Sequence, residues 1–418
     1  MTDFRYFCST CGRRYRRDEV RYLCPVCAAE YAPGMPLIGV LTVEFDYAAI
    51  RKSFRTGDPD WSLFSAVEES FFPDYPVGNT PFFRSPGLAA ATGFENLWIK
   101  NDGQNPSGSL KDRASFLVVA EANRLGEPSI VTASTGNAAS ALAAVCAAAG
   151  RQAIIFVPAK APRAKLVQML RHGARVIPIN GTYDDAFRLS LDYTAKYGGL
   201  NRNTAYHPLT IEGKKTVGLE ICRQNGWKAP DAVIVPVGDG VIIAGVSKAF
   251  GDLQSAGVIS RVPRLIAVQA ESSDAIHRFV TTGLYSDARN PVTIADSISV
   301  SVPSNARLAR IAIMDSGGCS LTVTDQEILE GQRLLAEKAG IFAEPAASAT
   351  AAALSKLRDS GALGPRDQVV LLVTGHGLKD IDSAMKCIRV PKAIEPTAEA
   401  LEALAGKRAS KGGEPCQN

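Results

Sequence analysis

Short apolar runs alternate along most of the chain with longer segments that carry apolar residues at helical spacing. Such runs predict strands, and the amphipathic segments between them predict helices. The predicted strands are residues 37–47, 97–100, 129–132, 153–157, 175–179, 232–237, 264–269 and 368–374, and the predicted helices are residues 138–150, 163–172 and 183–196. Strands that alternate with helices are typical of parallel sheets, so the pattern predicts an α/β fold with two of them.

Three segments depart from this alternation. A Pro-Gly-Met-Pro break at residues 33–36 separates an N-terminal segment from the rest. Residues 48–65 are polar and predict a connecting arm. Beyond Pro391 the chain is rich in Glu, Ala, Lys and Gly, which predicts a flexible tail over residues 393–418.

Composition narrows the functional classes. A chain of 418 residues has room for two or three domains, and its net charge of +4 offers no extended basic surface for nucleic acid. No apolar window is long enough for a membrane span, and no export signal precedes the cysteines. We therefore expect a cytoplasmic enzyme that binds neither nucleic acid nor membrane.

Four cysteines near the start form two CxxC pairs. Cys8 and Cys11 are separated from Cys24 and Cys27 by 12 residues. Four thiolates at this spacing predict a structural zinc, which would stabilise a segment too short to bury a core. The alternatives are a segment that has lost its metal and a redox dithiol.

Lys111 follows an Asn-Pro-Ser-Gly turn and precedes an apolar helix. A lysine at such a junction is either an exposed charge or, if neighbours and burial lower its pKa, a nucleophilic amine that forms a Schiff base. The sequence Ala133-Ser134-Thr135-Gly136-Asn137 also connects a strand to a helix. Its amides and hydroxyls would bind a carboxylate, or else simply cap the helix.

Two further strand ends carry polar or glycine residues. Gly238 and Gly240 allow close backbone approach of a phosphate to the following helix, whereas Asp239 would repel it unless its side chain points away or caps the helix. Thr374 ends the last strand beside a glycine. Its hydroxyl could bond a heterocycle nitrogen, or the segment is an ordinary turn.

Taken in order, six motifs resemble the threonine synthase family of fold-type II pyridoxal 5'-phosphate (PLP) enzymes. They are VGNTP (77–81), NPSGSLKDR (105–113), ASTGN (133–137), EGKKT (212–216), EPAAS (344–348) and TGHGLKD (374–380). The resemblance covers about residues 1–392. It implies two parallel-sheet domains of the tryptophan synthase beta-like kind and a homodimer. The implied divisions are a zinc-ribbon-like segment at 1–34, a large PLP-binding domain at 35–112 and 206–392, and a small domain at 113–205.

The resemblance also implies roles for individual residues. Lys111 would hold PLP and shuttle protons, Asn137 would bond its phenolic oxygen, and Thr374 would face its ring nitrogen. The PLP phosphate would lie against Gly238, Asp239, Gly240, Val241 and Ile242. The substrate carboxylate would be held by Ser134 and Thr135, with Gly136 and Ala138 beside them.

Several positions depart from the family. Ala138 replaces a threonine, Thr204 and Ala205 replace an Asn-Ser pair, and Thr210 replaces an arginine. Loss of the arginine removes a bidentate phosphate ligand. The residues that could supply a replacement cation are Arg202, Lys214, His207 and Arg163. Asp296 and Ser297 could lie near the ring, and residues 315–318 are predicted to border the cleft.

The expected function is threonine synthase-like elimination and replacement on a small amino acid such as O-phosphohomoserine. The alternative is an ammonia-lyase or β-replacing synthase that acts on serine, threonine or phosphoserine. A more remote alternative is a non-catalytic protein of the same fold that regulates or binds a partner.

Overall fold

The computed structural model describes residues 3–32, 34–54, 61–159, 163–386, 388 and 390–407. The strands are β1 Phe4–Cys8, β2 Arg14–Arg16, β3 Leu41–Phe45, β4 Phe82–Arg84, β5 Asn96–Asn101, β6 Ser129–Ala133, β7 Gln152–Pro158, β8 Arg175–Ile179, β9 Leu200–Asn201, β10 Ala232–Pro236, β11 Arg264–Ala270, β12 Cys319–Val323 and β13 Gln368–Val373. The helices are α1 Pro25–Ala28, α2 Tyr47–Phe54, α3 Pro86–Thr92, α4 Lys111–Leu125, α5 Asn137–Ala148, α6 Arg163–Arg171, α7 Tyr183–Tyr197, α8 Leu209–Gln224, α9 Val241–Ser255, α10 Ala275–Thr282, α11 Ala306–Asp315, α12 Asp325–Ala339, α13 Pro345–Ala352, α14 Leu354–Asp359, α15 Ile381–Met385 and α16 Ala398–Lys407.

The largest sheet has six strands in the order β12-β11-β10-β13-β5-β4. All neighbours are parallel except β4, which runs antiparallel to β5. Every residue of β10 is buried, as expected for a parallel strand that is covered on both faces. Val233 and Val235 pack into one apolar cluster and Ile234 packs into another, so each face of the sheet has its own core.

The second sheet has four parallel strands in the order β8-β7-β6-β9. Its strands alternate with α5, α6 and α7 along the chain. The predicted α/β fold with two parallel sheets is therefore confirmed. Helix α4 runs across the predicted domain limit at residue 112, and the domain limits remain a prediction.

The cysteine-rich segment forms a small antiparallel sheet in the order β2-β1-β3. Its third strand, β3, lies beyond residue 34. The segment packs on the rest of the chain, where Tyr22 stacks on Tyr206 with ring centroids 4.6 Å apart. Leu37 donates its backbone N–H to the Ser304 carbonyl oxygen at 3.1 Å.

Two polar segments contain helices that the apolar pattern did not predict. Helix α2 lies in the predicted arm, where it buries Ile50 alone of its residues. Helix α16 lies in the predicted tail, of which residues 408–418 fall outside the described chain. Among the described residues, no helix combines the length and apolarity needed to cross a bilayer.

Candidate active site

A cavity lies at the carboxyl ends of β10 and β13. Crevices at the carboxyl ends of parallel strands are where open α/β sheets bind ligands. Lys111, Gly238, Asp239, Gly240 and Thr374 line this cavity. The structure thus brings together three of the segments that the sequence singled out, although they are far apart in the chain.

Lys111 is the first residue of α4 and is half-buried. The turn before it is attached to the end of β13, since Leu110 donates its N–H to the Thr374 carbonyl oxygen at 2.9 Å and His376 donates to Gly108 at 3.0 Å. These bonds fix Lys111 beside Thr374. Burial lowers the pKa of Lys111, and the charges of Asp239 and Glu344 oppose that shift.

A buried ion network holds the start of α4 in place. Arg113 donates from Nε to Asp102 at 2.6 Å and from Nη1 to Glu220 at 2.7 Å. Asp112 accepts the backbone N–H of Ser107 at 2.7 Å, and burial raises the pKa of Asp112 to about 6. Because charge-assisted bonds of this kind are strong and directional, the Lys111 backbone has little freedom to move.

Lys379 connects the two larger sheets near the same turn. Its Nζ donates to the Ser107 carbonyl oxygen at 2.8 Å, to Gln168 Oε1 at 2.9 Å and to Ser140 Oγ at 3.1 Å. Gln168 and Ser140 belong to α6 and α5, which accompany the four-stranded sheet. One ammonium therefore joins the turn before Lys111 to both of these helices.

Asn137 begins α5 and is buried. Its Nδ2 donates to Glu344 Oε2 at 2.8 Å and Oε1 at 3.0 Å, and it lies 3.2 Å from Ser297 Oγ. Its Oδ1 is buried and has no hydrogen-bond partner among the described residues. The orientation of this amide therefore depends on Glu344, a contact that joins residues 207 positions apart and that no local sequence pattern reveals.

The loop before Asn137 is held by hydrogen bonds to Asn203. Asn203 Oδ1 accepts the Ala133 N–H at 2.7 Å and the Thr132 hydroxyl at 3.0 Å. Ser134 Oγ accepts the Gly136 N–H at 3.2 Å. Thr135 and Ala138 are half-buried around the same turn.

The glycines after β10 cannot carry side chains. A Cβ on Gly238 would lie 2.9 Å from Ile298 Cα. Gly240 has a φ of +84°, and a Cβ there would lie 2.8 Å from Ala309 Cβ. The close approach that the sequence predicted at these two positions is thus required by their surroundings. Val241 and Ile242 follow as the buried first turn of α9.

The Asp239 carboxylate lies at the N-terminal end of α9. Its Oδ1 accepts the Val241 N–H at 2.9 Å, so the side chain bonds the first turn of the helix, one of the two arrangements that the sequence required if a phosphate is to bind there. Although burial alone would raise the pKa of Asp239, the charges of Lys214 and Lys111 hold it below its ordinary value.

Two of the four candidate replacement cations lie next to this region. Lys214 and Arg202 are both 0% exposed. Burial lowers the pKa of Lys214 to about 7 and that of Arg202 to about 10. His207 is buried and burial lowers its pKa to about 4, so its ring is neutral at pH 7. The Arg163 side chain lies outside the described part of the structure.

The predictions for Asp296, Ser297 and residues 315–318 have different outcomes. Ser297 lines the cavity, whereas Asp296 is exposed. The prediction that residues 315–318 border the cleft is wrong. Gly318 packs against the Leu265 backbone at the amino ends of β11 and β12, and the cavity lies at the opposite ends of the strands.

The four N-terminal cysteines converge on one point. Their Sγ atoms lie within 4.8 Å of one another. The Cys8–Cys27 and Cys11–Cys24 pairs are each 3.8 Å apart, and four sulfurs at about 2.3 Å from a tetrahedral zinc would be about 3.8 Å apart. The donor set therefore fits zinc, and two of its sulfur pairs already have the tetrahedral spacing.

Sequence comparisons identify the known proteins that this chain resembles. A family model described as "Pyridoxal-phosphate dependent enzyme" matches residues 74–375. The threonine synthase of Methanocaldococcus jannaschii is 35% identical over 95% of this chain and 98% of its own length, and that of Methanosarcina acetivorans is 36% identical over 96% and 98%.

Solved structures share the fold. The processed threonine deaminase isoform 2 of Solanum lycopersicum superposes with a TM-score of 0.64 at 23% identity, covering 74% of this chain and 87% of that one. A fungal L-serine ammonia-lyase from Rhizomucor miehei gives 0.64 at 25% identity, over 74% and 98%.

Proposed function

Because the chain belongs to the threonine synthase family of fold-type II PLP-dependent enzymes, we propose that it converts O-phosphohomoserine and water to threonine and inorganic phosphate. The observation that carries the proposal is the placement of Lys111 in one cavity with the loop of Gly238 and with Thr374. The cavity is lined by the groups that the cofactor requires, namely an amine, a glycine-containing loop at a helix N-terminus and a hydroxyl at a strand end.

The chain's residues divide the task of holding the cofactor. Lys111 Nζ would attach to it covalently, and the backbone from Gly238 to Ile242 would receive its phosphate. Thr374 would bond the ring nitrogen. Asn137 would hydrogen-bond the phenolic oxygen, for which its Nδ2 must turn away from Glu344. When bound, PLP supplies an electron-withdrawing ring that stabilises negative charge on substrate carbon atoms.

The same residues would then act on the substrate. Ser134, Thr135, Gly136 and Ala138 would bind and orient its carboxylate near the start of α5. Lys111, freed as an amine, would take a proton from Cα and then one from Cβ. The C–O bond at Cγ would break with its electron pair leaving on phosphate, and Cγ and Cα would each regain a proton. Water would add its hydroxyl to Cβ and give its remaining proton to the departing phosphate. A neutral Thr374 hydroxyl would leave the ring nitrogen unprotonated, which would suit elimination and replacement.

The test is direct. Purified protein loaded with PLP is mixed with O-phosphohomoserine, and threonine and phosphate are measured together. Equal amounts of both support the proposal, and Lys111→Ala is expected to abolish both products together with the absorption band of the bound cofactor. A protein that never shows this band would support the non-catalytic alternative.

One observation favours a second candidate, an ammonia-lyase or β-replacing synthase. The Thr210 hydroxyl donates to the His207 carbonyl oxygen at 2.7 Å and accepts the Ala205 N–H at 3.0 Å. It is therefore engaged within its own segment, at the position where the family has an arginine. If the cofactor band is intact but O-phosphohomoserine is not turned over, release of ammonia or keto acid from serine, threonine and phosphoserine should be measured next.

We further propose a structural zinc bound by Cys8, Cys11, Cys24 and Cys27, a cytoplasmic homodimer and the domain limits given by the family resemblance. A measured content of one zinc per chain would support the proposed metal site. Light scattering on the purified protein tests the dimer, and limited proteolysis tests the limits at residues 112 and 205.

A further inference from the structure

We propose that Arg202 and Lys214 bind the phosphate group of the substrate, in place of the arginine that the family has where this chain has Thr210. This inference rests on the proposed function and adds the residues that recognise the leaving group.

Lys214 lies in the middle of the protein without a hydrogen-bond partner. It belongs to α8, is 0% exposed, and its Nζ is an orphan among the described residues. A buried ammonium with no partner is strongly unfavourable and is found where a function requires it. An anion that is absent from the protein itself would remove this cost.

Close helix packing at two glycines places Lys214 between α4 and α9. A Cβ on Gly213 would overlap the Arg113 carbonyl oxygen, so the α8 backbone touches α4 two residues after Lys111. A Cβ on Gly245 would lie 3.0 Å from Lys214 Cβ, so α9 is equally close. Lys214 therefore lies between the helix that begins at Lys111 and the helix that follows the Gly240 loop.

Arg202 approaches α4 from the other sheet. Its backbone N–H donates to the Val131 carbonyl oxygen at 2.7 Å. Its Nε donates to Ser115 Oγ at 3.3 Å and its Nη1 to Thr204 Oγ1 at 3.0 Å, whereas Nη2 is buried with no partner among the described residues. Because Ser115 is one helical turn after Lys111, the guanidinium lies along the face of α4 that carries Lys111.

The same segment supports the loop proposed to bind the substrate carboxylate. Asn203, next to Arg202, accepts the Ala133 N–H at 2.7 Å. Two residues farther on, Ala205 adopts a φ of +63°, which is strained for a residue with a Cβ. The backbone is thus held in an unusual conformation three residues after Arg202.

Among the described residues, Asp239 is an acid whose charge acts on both Arg202 and Lys214, and Asp112 acts on Arg202 as well. The Asp239 Oδ1 is already bonded to the Val241 N–H. A phosphate dianion would give the two cations a further negative partner. Lys214 lies four residues after Thr210, on the same face of α8. This chain therefore carries a positive charge one helical turn after the position at which the family has its arginine.

The cofactor phosphate is a second source of the same chemistry, and the experiment distinguishes the two. Holoenzyme is titrated with inorganic phosphate by calorimetry, and KM and kcat for O-phosphohomoserine and the Kd for PLP are measured in parallel. The variants are Lys214→Met, Arg202→Gln and the charge-preserving Arg202→Lys. The matched control is Lys228→Met, which removes an exposed lysine.

We expect Lys214→Met and Arg202→Gln each to raise the Kd for phosphate and the KM about tenfold or more, as loss of one charged ligand does. The PLP Kd should stay within about twofold, Arg202→Lys should recover part of the affinity, and Lys228→Met should match the parent. Loss of PLP affinity with unchanged phosphate binding would overturn the inference and assign the cations to the cofactor. Unchanged phosphate binding in all variants would overturn it as well.

Failure of the proposed function gives a different result. If the parent holoenzyme does not convert O-phosphohomoserine but binds phosphate in a manner that depends on Lys214 and Arg202, the anion site stands and the assigned reaction falls. If it converts the substrate with variant KM values equal to the parent's, the reaction stands and the inference falls.

Discussion

The side-chain amide of Asn137 donates to both carboxylate oxygens of Glu344, at 2.8 and 3.0 Å. A carboxylate can only accept, so this contact turns Nδ2 toward Glu344 and leaves Oδ1 buried without a partner among the described residues. The charge of Glu344 also opposes the lowering of the Lys111 pKa. One glutamate thus acts on two residues of the candidate site, through a hydrogen bond and through its charge.

Glu344→Gln is expected to separate these two effects. Glutamine can still accept from Asn137, but without the negative charge the Lys111 nitrogen, free or attached to the cofactor, should lose its proton at lower pH. We expect the midpoint of the cofactor's absorption change with pH to fall by at least about one unit. Glu330→Gln, at an exposed ion pair, is the control, and an unchanged midpoint in Glu344→Gln would contradict the electrostatic role.

Gly240→Ala is expected to weaken cofactor binding. Its φ of +84° would strain alanine by about 1–2 kcal/mol, and the new methyl would lie 2.8 Å from Ala309 Cβ. The PLP Kd should rise and the midpoint of thermal unfolding should fall.

Gly251→Ala is the matched control on the same helix. No atom lies within 4 Å of a Cβ there, so the change should stabilise α9 by about 0.5–1 kcal/mol. Equal effects of the two substitutions, read by thermal unfolding and PLP titration, would show that the loop tolerates a side chain.

Cys11→Ser is expected to abolish binding of the proposed zinc, since one of four ligands is lost. The effect should extend to the substrate site, because Tyr22 of the ribbon stacks on Tyr206 and its hydroxyl accepts the Asn201 N–H at 3.0 Å. KM for O-phosphohomoserine should rise more than the PLP Kd does. Cys319→Ser, at a half-buried thiol outside the quartet, should keep metal content and kinetics unchanged.

Lys214→Met is expected to change how stability depends on pH. The folded pKa of Lys214, about 7, lies below its ordinary value of 10.5. Between pH 7 and 10.5, Lys214 is protonated in the unfolded chain but neutral in the folded one. Its unfavourable contribution to the free energy of unfolding is therefore complete below pH 7 and disappears as the pH rises toward 10.5.

Urea unfolding in the absence of phosphate measures this dependence. Lys214→Met should be more stable than the parent at pH 7, and the difference should narrow at pH 8 and 9. Added phosphate should stabilise the parent alone. A difference that stays constant over this range would contradict the low pKa.

The sequence predicted those parts of the molecule that depend on local pattern. The strands around Val131, Ile234 and Leu371 were found because parallel strands are apolar on both faces. Helix α2 was missed, since it buries only Ile50. Residues 315–318 were misplaced because their position depends on which strands are neighbours in the sheet.

At the candidate site, the sequence did not predict contacts between residues that lie far apart along the chain. Lys111 and Thr374 were recognised through family motifs. The contact of Asn137 with Glu344, and the burial of Arg202 and Lys214, depend on how three helices and two sheets pack. A charged residue in a mixed segment is usually exposed, so their complete burial without partners could be seen only in the folded chain.

The hydrogen bonds of Lys379 to Ser107, Ser140 and Gln168 also bear on how substrate enters. Pulling the two sheets apart near Lys379 would break these contacts at once. We therefore expect this part of the cleft to act as the hinge of any opening movement. Substrate and product would then enter and leave on the opposite side of the cleft, and the lifetime of the closed state would depend on Lys379.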